Sequence, residues 1–434
     1  MHLLYLAFFY PPSRASGAHR PRAFCSAFAR SGWQVSVISA PLPYLEAVSA
    51  GLDPSTAVEI PGVDVLRPDW QRYSYTTDPD DLGLVDTWVP ALRTKARSTL
   101  ISRTLKERYT SWVATATRAG LRRARGRPVD AVLATGNPFA SFMAARLIAT
   151  RLRVPYALDY RDPWTFNSFT EEDFFAPGSL PVRAERWSLA GAERIIHVND
   201  GLRAEYALRY PQDADRMIVI RNGFDADHLP EGRVPRAADD GIRFGFVGTL
   251  TEVHPVRELL DGWRAAMAGP FADSGTRASL DIYGHLGFFA STRRLLEGQL
   301  SDPPPNLHYR GAVPKTAVHE KYDELDVLVF SSPGGRYVTG GKVYEYMATG
   351  LPIVSVHSPE LAAVAELSDY PLWVQPESLA PADLAEAFAR AAQLAASASP
   401  AERQAARAYG RSFDRESAVL PFAQQWAQRL ESRS

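Results

Sequence analysis

Lys342 and Glu345 stand three residues apart in the stretch Gly340 to Ser355, which compresses a Gly-rich turn, a short helix and an apolar strand into sixteen residues. Three positions are about one helical turn, so the ammonium and the carboxylate can face one ligand. Upstream, Ser331 to Gly341 holds Gly334, Gly335, Gly340 and Gly341, a loop whose bare backbone allows a ligand to approach closely. With a helix beginning near Lys342, an anion at its N-terminus meets backbone N–H groups, the positive end of the helix dipole and the Lys342 charge. A diphosphate suits such a place, and Glu345 suits a sugar or ribose hydroxyl pair. On pattern alone, an ordinary helix with solvated Lys342 and Glu345 is the alternative reading.

The pattern Lys-x-x-Glu-Tyr-Met-Ala-x-Gly-x-Pro-Ile-Val, Lys342 to Val354, resembles the nucleotide-sugar signature of retaining GT-B glycosyltransferases of the family 4 type. That resemblance implies an α/β, GT-B fold, two facing Rossmann-like domains with a C-terminal helix crossing back to the N-terminal domain. It further implies a nucleotide-diphosphate sugar as co-substrate and no other cofactor. Backbone at Gly340, Gly341 and Val343 would hold phosphate beside Lys342.

Length and composition agree with a two-domain globular protein. The chain has 434 residues, 46% of them hydrophobic and 22% charged, enough for two cores of ordinary size and too apolar for a disordered chain. The expected division is 1–215 for an acceptor-binding domain, 216–241 for a linker, 242–412 for the donor-binding domain and 413–434 for the returning helix. A net charge of −1 identifies no partner. The single cysteine, Cys25, excludes an internal disulfide framework and fits a reducing cytoplasm. No apolar run is long enough to span a bilayer. The N-terminal His2 to Tyr10 lacks the basic flank and cleavage site of a signal peptide and reads as a first buried strand.

Taken in order, strand 2–10, loop 11–20, a helix to Ser31 with Phe24, Ala27 and Phe28 on one face, and strand 34–38 open a doubly wound sheet. Ligands of such sheets sit beyond the carboxyl ends of the strands, where Gly17, His19 and Arg20 fall. Gly17 resembles the family's first-loop glycine, which admits donor phosphate and acceptor. Strand 154–159 leads into Tyr160-Arg-Asp-Pro-Trp-Thr165, and Asp159 and Arg161, two residues apart, are expected to point to one face. This segment resembles one in enzymes of the family that build cell-surface glycans. Arg161 then serves either the leaving phosphate or the acceptor, unless the two residues form only a structural pair. His197, inside an apolar strand, reads as a satisfied core histidine.

Between Arg93 and Arg127 eleven basic residues face one acid, Glu107, and Leu100, Ile101, Leu105, Trp112 and Val113 fall at spacings compatible with a helix. A basic amphipathic helix can lie on an anionic membrane surface, and family members with lipid-linked acceptors carry a comparable patch. A surface helix with solvated arginines is the alternative. No nucleic-acid motif accompanies the charge.

In the second half, Ile242 to Val247 and Gly248 restart the strand and loop cycle. The resemblance places Gly248, Thr249, His254, Tyr283 and Gly284 around the donor, and Ala312 and Val313 at the nucleotide base. Three positions depart from it. Relatives carry Arg at the place of Thr249, Lys at that of His254 and a glutamate at that of Tyr337, so charge neutralisation would fall to Lys342, a protonated His254, and Arg336 or Arg161. The Asp-Ala-Asp triplets at Asp213 and Asp225 lack convincing ligand spacing, and no metal is expected.

The function this reading implies is transfer of a sugar, with retention, onto a lipid-linked, cell-envelope glycan or small-molecule acceptor. Lys342, Glu345, Arg161 and Asp159 would carry it, in the cytoplasm or at the inner face of the plasma membrane. A nucleotide-sugar epimerase and a catalytically silent binding homologue are the rival readings.

Overall fold

The computed structural model describes residues 1–48, 51–70, 109–229, 241–287, 290–314, 317–332 and 335–432. The expected excursion at 73–88 and the first part of the basic stretch, 93–108, lie outside the described residues. The chain divides into two compact units, Met1–Arg221 with Arg415–Ser434, and Asn222–Asp414.

The first unit is built on seven parallel strands in the order β3-β2-β1-β4-β5-β6-β7. These are β1 (His2–Leu6), β2 (Gln34–Ile38), β3 (Val63–Leu66), β4 (Ala131–Gly136), β5 (Tyr156–Tyr160), β6 (Arg194–His197) and β7 (Met217–Val219). Both faces are covered by helices, so the inner strands are buried throughout: β1, β4 and β5 have no exposed residue. The helices are α1 (His19–Arg30), α2 (Leu42–Val48), α3 (Thr110–Gly126), α4 (Ala140–Leu152), α5 (Leu180–Leu189) and α6 (Asp200–Arg209). Asn199 caps α6, its Oδ1 accepting from the Leu202 N–H at 2.8 Å. Because β7 completes this sheet, the unit runs to Arg221 rather than to 215.

The second unit holds six parallel strands in the order β10-β9-β8-β11-β12-β13. They are β8 (Ile242–Val247), β9 (Ala278–Tyr283), β10 (Leu307–Gly311), β11 (Val327–Ser331), β12 (Ile353–Val356) and β13 (Trp373–Val374). Around them lie α7 (Val256–Ala268), α8 (Pro270–Ser274), α9 (Ala290–Gln299), α10 (Val318–Asp323), α11 (Gly341–Thr349), α12 (Val364–Leu367), α13 (Pro381–Ser397) and α14 (Pro400–Arg411). One core gathers Trp263, Phe244 and Phe388 beneath α7 and α13, and the other gathers Tyr344, Met347 and Leu328 beneath α11.

α14 ends at Arg411 and α15 (Arg415–Glu431) begins after a three-residue break. Phe413 in the break packs on Tyr344 of the second unit at 5.2 Å. α15 belongs to the first unit, where Phe422 and Trp426 meet Phe28 of α1.

Candidate functional site

In each sheet the strand order reverses once beside the first strand, between β1 and β4 and between β8 and β11. Loops leaving such a reversal diverge to opposite faces and open a ligand crevice. Of the predicted site residues, Gly17, His19 and Arg20 follow β1, Gly248, Thr249 and His254 follow β8, and Gly340 to Glu345 follow β11, whereas Asp159 and Arg161 stand at the end of β5, Tyr283 and Gly284 at that of β9, and Ala312 and Val313 after β10.

In the second unit, β11 ends at Ser331 and α11 starts at Gly341, with Gly340 as N-cap in extended backbone and without a side chain to cap the helix. Lys342 Nζ donates to Glu345 Oε2 at 2.7 Å and to the Tyr322 hydroxyl at 3.2 Å; that hydroxyl donates to the same carboxylate oxygen at 3.0 Å. The Lys342 side chain is 34% exposed and the Glu345 side chain 11%. An ammonium has three donors, so Lys342 can keep this carboxylate and still meet an anion from the solvent side. Tyr322 was not singled out from the sequence. Burial beside Glu345 raises its pKa well above that of a free tyrosine, so it stays a neutral donor.

Tyr346, on the same helix, fixes the neighbouring loop. Its hydroxyl accepts from the Val247 N–H at 2.8 Å and donates to the Val247 carbonyl at 3.2 Å, holding the residue before Gly248. Gly284 adopts φ 143°, and a Cβ there would overlap the Gly248 carbonyl. The Gly248 and Gly284 loops are thus in backbone contact. Asn222 Nδ2 donates to the Thr339 carbonyl at 2.9 Å and ties down the segment leading into α11. Gly350, φ 74°, ends the helix in a left-handed turn.

The expectation of a protonated His254 needs correction. His254 supplies no positive charge: burial lowers its pKa to about 4, and Nδ1 accepts from the Thr251 N–H at 3.1 Å. The Val343 side chain lies in the core, leaving only its backbone for a ligand. Tyr337 is buried, with Arg336 Nε donating to its hydroxyl at 3.1 Å. Tyr283 is nearly buried, with Lys321 over its ring at 5.9 Å. Thr249 is half-buried, and Ala312 and Val313 follow β10 with Ala312 exposed.

In the first unit Asp159 and Arg161 do not act as a pair. Asp159, fully buried, accepts from Arg20 Nη2 at 2.7 Å, from Arg20 Nε at 3.0 Å and from the Thr135 hydroxyl at 2.9 Å. Arg20 also donates to the carbonyls of Ile220 and Arg221. Both residues are therefore spent inside the protein, locking the start of α1 to the ends of β5 and β7. Arg161 turns the other way and donates to the carbonyls of Gly136 at 2.6 Å and Asn137 at 2.7 Å. A Cβ on Gly17 would strike its guanidinium, so Gly17 is the glycine that lets Arg161 lie against the first loop. His19, half-buried, begins α1 beside them.

The basic stretch also divides. Trp112 on α3 is fully buried, edge-on to Phe8 at 5.1 Å, so it is not a membrane-facing residue. Arg123 pairs with Asp64 at 2.8 Å. His197 is buried as expected, but among the described residues neither ring nitrogen has a hydrogen-bond partner. Among the described residues no helix is long and apolar enough to cross a membrane. Asp213 is engaged by Arg216.

Residues 17–223 match the family model described as glycosyl transferase 4-like domain, and residues 241–394 match that described as glycosyl transferases group 1. The chain is a glycosyltransferase. No curated protein sequence matches it. The glycosyltransferase is similar in fold to a sucrose-phosphate synthase from Thermosynechococcus elongatus, with 16% identity, TM-score 0.64 and all of both chains covered. It is also similar to a glycosyltransferase from Rickettsia africae, with 9% identity, TM-score 0.65, and 100% and 99% of the two chains covered. Anabaena HepE, solved in complex with UDP-glucose, is a third, with 13% identity, TM-score 0.58 and full coverage of both chains. The glycosyltransferase thus has two sheet-based units of the GT-B type.

Proposed function

We propose that this glycosyltransferase moves a sugar, with retention of anomeric configuration, from a nucleoside diphosphate sugar to a lipid-linked or other cell-envelope glycan, or to a small-molecule acceptor. The observation that carries the donor half is the Lys342–Glu345–Tyr322 triangle at the start of α11, next to the Gly248 and Gly284 loops. HepE, of the same fold, holds UDP-glucose, which supports a donor of that class. Lys342 and the backbone of Gly340 and Gly341 would take the diphosphate, and Glu345 the ribose or sugar hydroxyls. With His254 neutral, Lys342, together with Arg336, would meet the departing charge from the second unit. Retention needs no protein nucleophile in this reading. The leaving diphosphate accepts the acceptor's proton on the face where it departs, and the protein contributes positioning and charge stabilisation.

The test is a panel of nucleotide sugars read by thermal shift, followed by turnover of the best binder with and without glycan acceptors and NMR of the product's anomeric centre. A stabilising donor whose sugar is transferred with its configuration kept supports the reading. Conversion of the donor with no acceptor present would make the enzyme an epimerase, and an inverted product would remove the retaining assignment.

A further inference from the structure

We propose that the loop between β5 and α5 docks in the groove between α4 and α5 of a second copy of this chain, and that two such contacts, made reciprocally, close a two-fold dimer. This rests on neither the donor nor the acceptor reading above. The loop is built to hold aromatic side chains outward. Asn167 Oδ1 accepts from the Phe169 N–H at 2.8 Å and the Thr170 N–H at 3.3 Å, while the N–H groups of Asn167 and Phe174 donate to the carbonyls of Glu172 and Thr165. Phe166, fully buried, anchors the turn against Tyr206 at 5.7 Å, and Arg209 lies over its ring at 4.2 Å and pairs with Asp173. Yet Phe169 is 48% exposed and Phe174 53%, with Glu171 and Glu172 exposed between them. A hydrogen-bonded turn that keeps two phenylalanine rings in water forgoes apolar burial, which a second surface would supply.

The complementary surface lies on the same unit. An open groove of about 780 Å³ is lined by Leu147, Leu152, Trp187, Arg146, Arg151 and Arg153. Leu147 and Trp187 are exposed there and offer footing to phenylalanine rings. Arg146 lies over the Trp187 ring at 4.4 Å, and its Nη1 has no hydrogen-bond partner among the described residues. Arg151 and Arg153 are exposed, and among the described residues neither is ion-paired. α4 has no acid, and the one acid of α5, Glu185, is buried among tyrosine hydroxyls, so neither helix neutralises these guanidinium groups. Glu171 and Glu172 of a second copy bring the opposite charge, and Phe169 and Phe174 bring the apolar area. The aromatics supply affinity and the charges fix the pairing. Topology allows both contacts at once. β4, β5 and β6 are successive parallel strands, so right-handed crossovers set α4, α5 and α6 side by side on one face of the sheet. The groove lies on the α4 side of α5, and the loop, packed on Tyr206 and Arg209 of α6, lies on the other. A two-fold axis running along α5 exchanges those sides, so each loop meets the other copy's groove and no sticky end is left to propagate.

The experiment is sedimentation equilibrium of the full chain over a range of protein and salt concentrations. A monomer–dimer equilibrium, weakened by raised salt, is expected. Phe169→Ser with Phe174→Ser, and separately Arg151→Glu with Arg153→Glu, should each raise the dimer dissociation constant at least about tenfold. All four side chains are exposed, so the melting temperature should stay near that of the wild type. Glu171→Arg with Glu172→Arg should weaken association in the same way. Mixing that variant with the Arg151→Glu, Arg153→Glu variant should restore it, because one contact of the mixed dimer is native and the other has its charges exchanged. Arg264→Glu, in the second unit, should associate as the wild type does. A chain that is monomeric throughout, a dimer that the loop and groove variants leave unchanged, an equal loss with Arg264→Glu, or no recovery on mixing would overturn the proposal. A monomeric chain that retains a soluble acidic polysaccharide such as polygalacturonate through Arg151 and Arg153 would give the groove another occupant and overturn it likewise.

Discussion

Lys342 Nζ rests 2.7 Å from Glu345 Oε2, one turn apart on α11, with the Tyr322 hydroxyl bridging them. The ammonium is thus held in place before any anion arrives. Removing it should act on the charge that develops as the sugar leaves, so Lys342→Ala is expected to cost about 10²–10³ in kcat. Glu345→Gln keeps shape and one acceptor oxygen but releases the ammonium, and its loss should appear mainly in KM for the donor. Steady-state kinetics separates the two, and unchanged kcat in Lys342→Ala would remove this lysine from the chemistry.

Asp159 is expected to behave as a structural residue. Its carboxylate is fully buried against Arg20, itself 3% exposed. Removing one partner of a buried pair leaves the other charge without compensation, at a cost of about 3–5 kcal/mol. Asp159→Ala should therefore lower the stability of the first unit by that order in chemical denaturation, whereas Arg161→Ala, which loses bonds to two loop carbonyls, should lower it far less. Equal and small effects of both changes would contradict the assignment of Arg20 to Asp159.

Gly410 sits where α14 crosses α11. A Cβ there would overlap the Met347 carbonyl group and the Ala348 nitrogen. Gly410→Ala must push α14 away from the helix that carries Lys342, and overpacking of this kind costs about 1–3 kcal/mol. The expected result is a lower melting temperature together with a smaller thermal shift on adding donor. A variant that melts with the wild type would show that the two helices have room to part.

The strands at 34–38 and 242–247 were legible in the sequence to the residue, because runs rich in Val, Ile and Phe end there at polar or Gly-containing turns. So was α11, marked by Gly340 before it and Gly350 after it. What stayed hidden depends on pairs far apart in the chain. Nothing near Asp159 announces Arg20, 139 residues away, and local spacing instead pointed to Arg161. Tyr322 likewise reaches Glu345 across 23 residues. The returning helix, expected over 413–434, runs over Arg415–Glu431, after a break in which Phe413 packs on Tyr344. His254 read as a cation only while its burial was unknown.

His197 gives the first unit a dependence on acid. The imidazole is fully buried between Tyr160, 5.5 Å away, and Tyr206, 4.9 Å away, and desolvation lowers its pKa to about 3. Its ordinary value is 6.5, so between those limits the unfolded chain binds a proton that the folded chain refuses. A depressed folded pKa gives stability that is complete above pH 6.5 and is lost as the pH falls towards 3. The slope from this residue alone is about 1.4 kcal/mol per pH unit. His197→Phe keeps the ring stack and removes the titration, so the acid-induced loss across that window should become shallower by about one proton. Urea denaturation of the two proteins at a series of pH values measures the difference, and parallel curves would mean that His197 is not the group refusing the proton.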